Sequence, residues 1–192
     1  MTDYSKIGRS NRNRGASYER KIAHMLTDGF GVKFKRSPRS GALLREGAIN
    51  GAFISGDLTC ERDFRFSIEC KNCLDANIEA ILKNPNTAPL IKYWCQCVYD
   101  ARAASTGSKH KMPLMFFNMK SVRKDYACLS DNGIAHLRLP ILHLYIPTEL
   151  IGEVVIDIDN QKVSMNDIPP MYIMLADEFV KNVNKTVFYG ED

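Results

Sequence analysis

Asp57, Glu69 and Lys71 are the residues whose types and spacing could do chemistry. The run "FSIECKN" (66–72) alternates apolar and polar positions, so as a strand it puts Phe66, Ile68 and Cys70 on one face and Glu69 with Lys71 on the other. Upstream, "AFISGDLTC" reads as a second strand, and the few polar residues between the two are a hairpin signal. Pairing parity then decides whether the two acids meet. A three-residue loop at Arg62, Asp63 and Phe64 sets Asp57 opposite Glu69, Leu58 opposite Ile68 and Cys60 opposite Phe66, whereas a two-residue loop sends the acids to opposite faces. Opposed side chains have Cβ atoms about 5 Å apart, close enough for two carboxylates to grip one cation. Mg2+ is the common solution to such a pair, and Lys71 would reach the same site. There it could stabilise charge developing on a phosphate, or orient and help deprotonate an attacking water. The plain alternative is an exposed hairpin face with a surface ion pair worth about 0 to 1 kcal/mol. The apolar flanks of both strands argue against it.

The elements that must position these residues follow from periodicity. Tyr18, Ile22, Met25 and Leu26 recur at helical spacing from Ser17 onward, with Gly29 or Gly31 as the stop. "GVKFKRS" reads as a strand and "PRSGALLREGAING" as a loop. "NTAPLIKYWCQCVYDARAAS" reads as a helix with Pro89 in its first turn, and "MPLMFFNM" as a buried central strand followed by "YACLS". Beyond residue 130, "LRLPILHLYIP" suggests one or two short strands, "GEVVIDID" a strand and "PPMYIMLADEFVKNV" a closing helix. This order predicts an α/β architecture, a central mixed sheet flanked by helices, with a basic flexible tail over 1–13, a core over 14–130 and an α+β extension over 131–192 packed on the core.

The net charge of +4 conceals a gradient: residues 1–50 carry eleven Lys/Arg against four Asp/Glu, and residues 145–192 three against nine. A basic front half with clustered Arg, Ser, Asn and Gly suits a polyanion such as nucleic acid. Arg36 and Arg39 fit backbone contacts, without base reading. No apolar run approaches a membrane span and no apolar signal core opens the chain, so a cytoplasmic protein with reduced thiols is expected. Cys70, Cys73, Cys95 and Cys97 offer a competing four-thiolate zinc site, but strand and helix geometry point their side chains apart.

Asp57 followed after eleven residues by Glu69-Cys70-Lys71 resembles the D…(D/E)-x-K signature of the PD-(D/E)xK nuclease superfamily. "RGASYERKIAHML" resembles the opening helix of archaeal and phage Holliday junction resolvases, where Glu19 occupies the position of a metal-binding glutamate. "RSPRSGAL" resembles the family's loop before the catalytic strands, which implies Ser40 and Gly41 near the scissile phosphate. A first-turn glutamate also serves the helix dipole, a lesser alternative for Glu19, while Ser40-Gly41 suits a simple turn equally well. The resemblance covers residues 14–118 and departs from the superfamily at Gly56, where proline often precedes the aspartate. It implies a Mg2+-dependent endonuclease, Mn2+ serving in its place, that cuts branched DNA as a homodimer. Glu19, Asp57 and Glu69 are the implied metal ligands, Lys71 the transition-state cation, Arg14 a DNA contact and Gln96 a supporting residue. The alternatives are the same chemistry on duplex ends or flaps, and a non-catalytic DNA-binding protein of the same fold.

Overall fold

The computed structural model describes residues 4–37, 53–72, 77–105, 110–119, 122–137, 142–158 and 161–189. Its spine is a five-stranded mixed sheet in the order β4-β5-β6-β10-β7, formed by β4 (Phe66–Lys71), β5 (Met112–Met119), β6 (Lys124–Leu129), β7 (Leu144–Ile146) and β10 (Met171–Leu175). β4 and β5 run parallel and the other pairs antiparallel. The parallel pair needs a crossover, which α2 (Ile78–Lys83) and α3 (Pro89–Ala104) supply, with Pro89 in the opening turn of α3 where a missing N–H costs nothing.

Strand alternation divides the core into two apolar layers. Phe66, Ile68 and Cys70 join Leu114 and Phe116 against α1 (Tyr4–Phe30), α6 (Ala176–Asn182) and α7 (Lys185–Phe188). Met115 and Phe117 face the other way, toward Leu90, Trp94 and Val98 of α3 and the hairpin of β8 (Val154–Ile158) and β9 (Gln161–Met165). β5 is therefore buried on both faces, which is what its uninterrupted apolar run implies. Two short helices, α4 (Asp131–Ile134) and α5 (Thr148–Ile151), follow β6 and β7. Among the described residues no helix is long and apolar enough to cross a membrane.

Three expectations change. The helix expected from Ser17 starts at Tyr4, so the stretch read as a basic tail over 1–13 is helical from residue 4; it has no apolar period to announce it. "PPMYIMLADEFVKNV" is not one helix: its apolar half is β10, inserted in the sheet between β6 and β7, and only its second half is α6. Residues 131–192 thus supply two of the five strands and complete the core itself.

The third change concerns the hairpin. "AFISGDLTC" contains two strands, β2 (Phe53–Ser55) and β3 (Leu58–Cys60), folded back on each other at Gly56-Asp57. β3 also pairs with β1 (Phe34–Arg36), so both its edges are taken and none is left for β4. The expected register of Asp57 with Glu69, Leu58 with Ile68 and Cys60 with Phe66 is replaced by a single parallel bridge between Gly56 and Ile68.

Candidate active site

The turn between β2 and β3 crosses the outer edge of β4 and uses that strand's free backbone groups. Asp57 N–H donates to the Ile68 carbonyl at 2.7 Å, and Cys70 N–H donates to Asp57 Oδ2 at 2.9 Å. Asp57 is thereby brought beside Glu69 without a hairpin. Gly56 makes this approach possible: its φ is +77°, and a Cβ there would lie 2.1 Å from the Ile68 carbonyl oxygen. Ser37 fixes the turn from the other side, its N–H donating to the Asp57 carbonyl at 2.8 Å and its Oγ to the Gly56 carbonyl at 2.9 Å.

Glu69 and Lys71 share the face of β4 opposite Phe66, Ile68 and Cys70, as alternation requires, and form an ion pair at 2.5 Å. Lys71 also donates to Gln96 Oε1 of α3 at 3.2 Å and lies 5.4 Å from the centre of the Tyr93 ring. Glu19 projects from the middle of α1 and is paired with Arg36 through Nε. A dipole role for Glu19 is therefore excluded, because that effect is confined to the first turn. Arg14 is exposed on the same helix, and its carbonyl accepts from Asn72 Nδ2 at 3.2 Å, tying α1 to the end of β4. Arg39, Ser40 and Gly41 lie outside the described residues, as does Cys73.

Glu19, Asp57 and Glu69 are all buried, which for carboxylates calls for a compensating partner. Burial pushes the Asp57 carboxyl well above its usual range, and the charges of Glu69 and Glu19 push it further. The Cys70 amide and Lys71 oppose the rise without cancelling it. A buried carboxylate whose ionisation two neighbouring carboxylates oppose, with hard oxygen donors on all three, suits an oxygen-preferring dication such as Mg2+. Among the described residues no three acidic, His or Cys side chains stand close enough together to hold a metal ion, and Glu19 and Glu69 are each paired with a basic side chain. The thiols are poor competitors for this role: Cys70 packs in one apolar layer and Cys95 and Cys97 in the other, and burial raises all three above the ordinary thiol range.

Two neighbours of the site went unnamed in the reading along the chain, and only one of them, Ser37, has no signal there. Ser37 acts on a turn 19 residues away, and only the β1–β3 ladder brings them together. Tyr93 was within reach, because it lies one helical turn before Gln96 and so shares its face.

A mixed sheet between helical layers, with two acids and a lysine gathered on one strand and its flanking turn, is the architecture of a PD-(D/E)xK-type nuclease fold. Residues 10–186 match the model of the family described as "Phage putative PDDEXK endonuclease", and the chain belongs to that family. The match extends well past residue 130, in keeping with the strands that the last third adds to the sheet. No curated protein and no solved structure gives a match.

Proposed function

We propose that the protein is a divalent-metal-dependent DNA endonuclease that cuts branched DNA in the manner of a Holliday junction resolvase, as a homodimer, with Mg2+ as its metal. The observation that carries the nuclease chemistry is the convergence of Asp57, Glu69 and Lys71 at the outer edge of β4, with Glu19 alongside, in a chain of this family. Preference for four-way junctions and the dimer rest on the resemblance of "RGASYERKIAHML" and "RSPRSGAL" to junction resolvases.

In this reading Asp57, Glu69 and Glu19 would hold the metal. Its chemistry there is to polarise the phosphodiester and make a water acidic enough to attack. The protein's own groups do the rest. Lys71 is kept at the site by Gln96 and the Tyr93 ring, which would hold its ammonium beside the reacting phosphate. Ser37 and Gly56 hold the Asp57 backbone, so its carboxylate does not have to be ordered at the moment of reaction. Arg14, exposed on α1, would contact the DNA backbone on the basic side of the site, and Arg36 would do so only on leaving Glu19.

Cleavage of a synthetic four-way junction, a linear duplex and a flap, each with Mg2+ or with chelator, tests the proposal. Paired symmetric nicks in the junction, absent with chelator, are the expected result. Cutting mainly of the duplex or flap keeps the chemistry and changes the substrate. A second reading, a DNA-binding protein without chemistry, is favoured by the basic partners that already occupy Glu19 and Glu69. It requires binding without cleavage under every condition, and binding that is indifferent to metal.

The support given to Lys71 has its own expected result. Gln96→Leu removes the acceptor at 3.2 Å and lowers the cleavage rate roughly tenfold, while DNA affinity stays within about twofold. Single-turnover kinetics beside anisotropy titration separate the two; an equal loss in both would assign Gln96 to DNA binding.

A further inference from the structure

We propose that the sheet edge formed by β7 is a docking site for an arginine-bearing segment of a partner protein, which stacks on Tyr145 and pairs with Glu149 and Asp131. The inference does not depend on the nuclease reading, because this edge lies at the opposite end of the sheet from Asp57 and Glu69. In the order β4-β5-β6-β10-β7 four strand spacings separate the two, about 19 Å.

β7 pairs with β10 on one side, and among the described residues no strand lies on the other. Such an edge is open to pairing, and proteins commonly blunt it with charge on the strand itself. β7 reads Leu-Tyr-Ile and carries none. Leu144 and Ile146 turn into the apolar layer beneath α3, whereas Tyr145 takes the other face and is 49% exposed. Tyr145 stands directly opposite Tyr172 of β10 with ring centres 4.9 Å apart, so the two make one aromatic surface at the margin of the sheet. A tyrosine supported in this way has little rotamer freedom left to lose on binding, which is why tyrosines anchor protein interfaces.

Charge decides the occupant. Glu149, in the first turn of α5, and Asp131, in the first turn of α4, are both exposed. Desolvation, then Tyr172, then Glu149 and Asp131 raise the Tyr145 phenol above its usual range, so both acids act on the ring's surroundings. The same stretch of chain, 145–192, carries nine Asp/Glu against three Lys/Arg. A polyanion such as DNA is repelled by such a surface. A second copy meeting this edge about a two-fold axis would set Glu149 and Asp131 against their own equivalents, like charge on like. A guanidinium suits both halves of the patch, its flat face on the tyrosine ring and its fork on a carboxylate. Lysine brings the charge without the fork. Three residues of strand are too few to hold a partner by backbone bonds alone, so the side chains must select it.

The test uses the full chain and short fluorescent peptides that alternate valine with arginine, lysine or glutamate, read by anisotropy. The arginine peptide is expected to bind with a Kd of about 10–100 µM, the lysine peptide about fivefold more weakly, and the glutamate peptide not at all. Tyr145→Ser and Glu149→Lys should each weaken the arginine peptide at least about fivefold, while Tyr145→Phe, which keeps the ring, stays within about twofold. Circular dichroism confirms folding, and Glu149→Lys, a change on an exposed helix, decides the matter if Tyr145→Ser is unfolded. No binding of the arginine peptide up to about 1 mM overturns the proposal, as does binding that both variants leave unchanged. Sedimentation checks the other occupant: a dimer that Tyr145→Ser splits would assign the edge to a second copy and overturn the partner. DNA cleavage should be the same in wild type, Tyr145→Ser and Glu149→Lys; cleavage lost in both variants would tie this edge to DNA and overturn the proposal, whereas cleavage absent from wild type overturns the nuclease reading alone.

Discussion

Asp57→Asn is expected to abolish cleavage and, in the absence of metal, to make the protein more stable. The first effect follows from the loss of a charged ligand at the reacting phosphate, worth several kcal/mol of charge stabilisation, or about three orders of magnitude in rate. The second follows from the environment of Asp57. Burial, Glu69 and Glu19 raise its carboxyl well above the usual value, so the folded protein holds this proton more tightly than the unfolded chain does. As pH rises from the unfolded carboxyl's pKa through the raised folded one, wild type loses stability and the amide variant does not. The amide oxygen can still accept the Cys70 N–H. Thermal melts of both proteins in EDTA should therefore diverge with rising pH, the variant ahead at neutral pH by about 2–4 °C for each kcal/mol relieved, and the gap closing near pH ~4. Mg2+ should raise the melting temperature of wild type and leave that of the variant nearly unmoved. A variant less stable than wild type at neutral pH, or a gap that ignores pH, would contradict the assignment of Asp57 as a strained, metal-awaiting carboxylate.

Gly56→Ala is expected to cost roughly 2–5 kcal/mol, a large loss for a residue that carries no side chain. The positive φ of +77° alone strains any L-residue, and the added Cβ meets Ile68 backbone atoms, the carbonyl oxygen at 2.1 Å and its carbon at 2.8 Å. Neither can yield without pulling β4 from β5 or breaking the Asp57–Ile68 hydrogen bond. Gly56→Pro should be worse still, because proline fixes φ near −65°. Urea denaturation midpoints give the stability loss. Cleavage measured where the alanine variant remains folded should fall further than the folded fraction, since the turn it disturbs carries Asp57. A Gly56→Ala protein within about 0.5 kcal/mol of wild type would mean that the turn is not held against β4 in the way described.

Much of this arrangement was legible in the chain, and the misreadings have definite causes. The shared face of Glu69 and Lys71 needed only the period of a strand, and β5 announced itself by an unbroken apolar run. Juxtaposition of Asp57 with Glu69 was expected for the wrong reason. A hairpin signal between 60 and 66 is local, whereas the true partners of β3 are β1 and β2, and nothing within a few residues of Cys60 encodes that choice. The positive φ at Gly56 was the missing information, because it turns one expected strand into two. "MYIML" failed differently: a five-residue apolar run before a helical pattern has no periodicity to separate strand from helix. Gln96, assigned by resemblance alone, does lie against Lys71. Arg36, expected only as a DNA contact, is found on Glu19.

The insertion of β10 between β6 and β7 has a consequence for how the protein comes into being. A ribosome that has made everything through β6 has released Glu19, Asp57, Glu69 and Lys71, yet the strand that covers β6 and the helix α6 that packs on α1 are still to be translated. The growing chain holds all four side chains proposed for its site long before it holds the sheet that aligns them. Truncation at residue 130 would leave β6 with an unpaired edge and the α1 layer uncovered, so a minimal fragment ending there should aggregate rather than cut DNA.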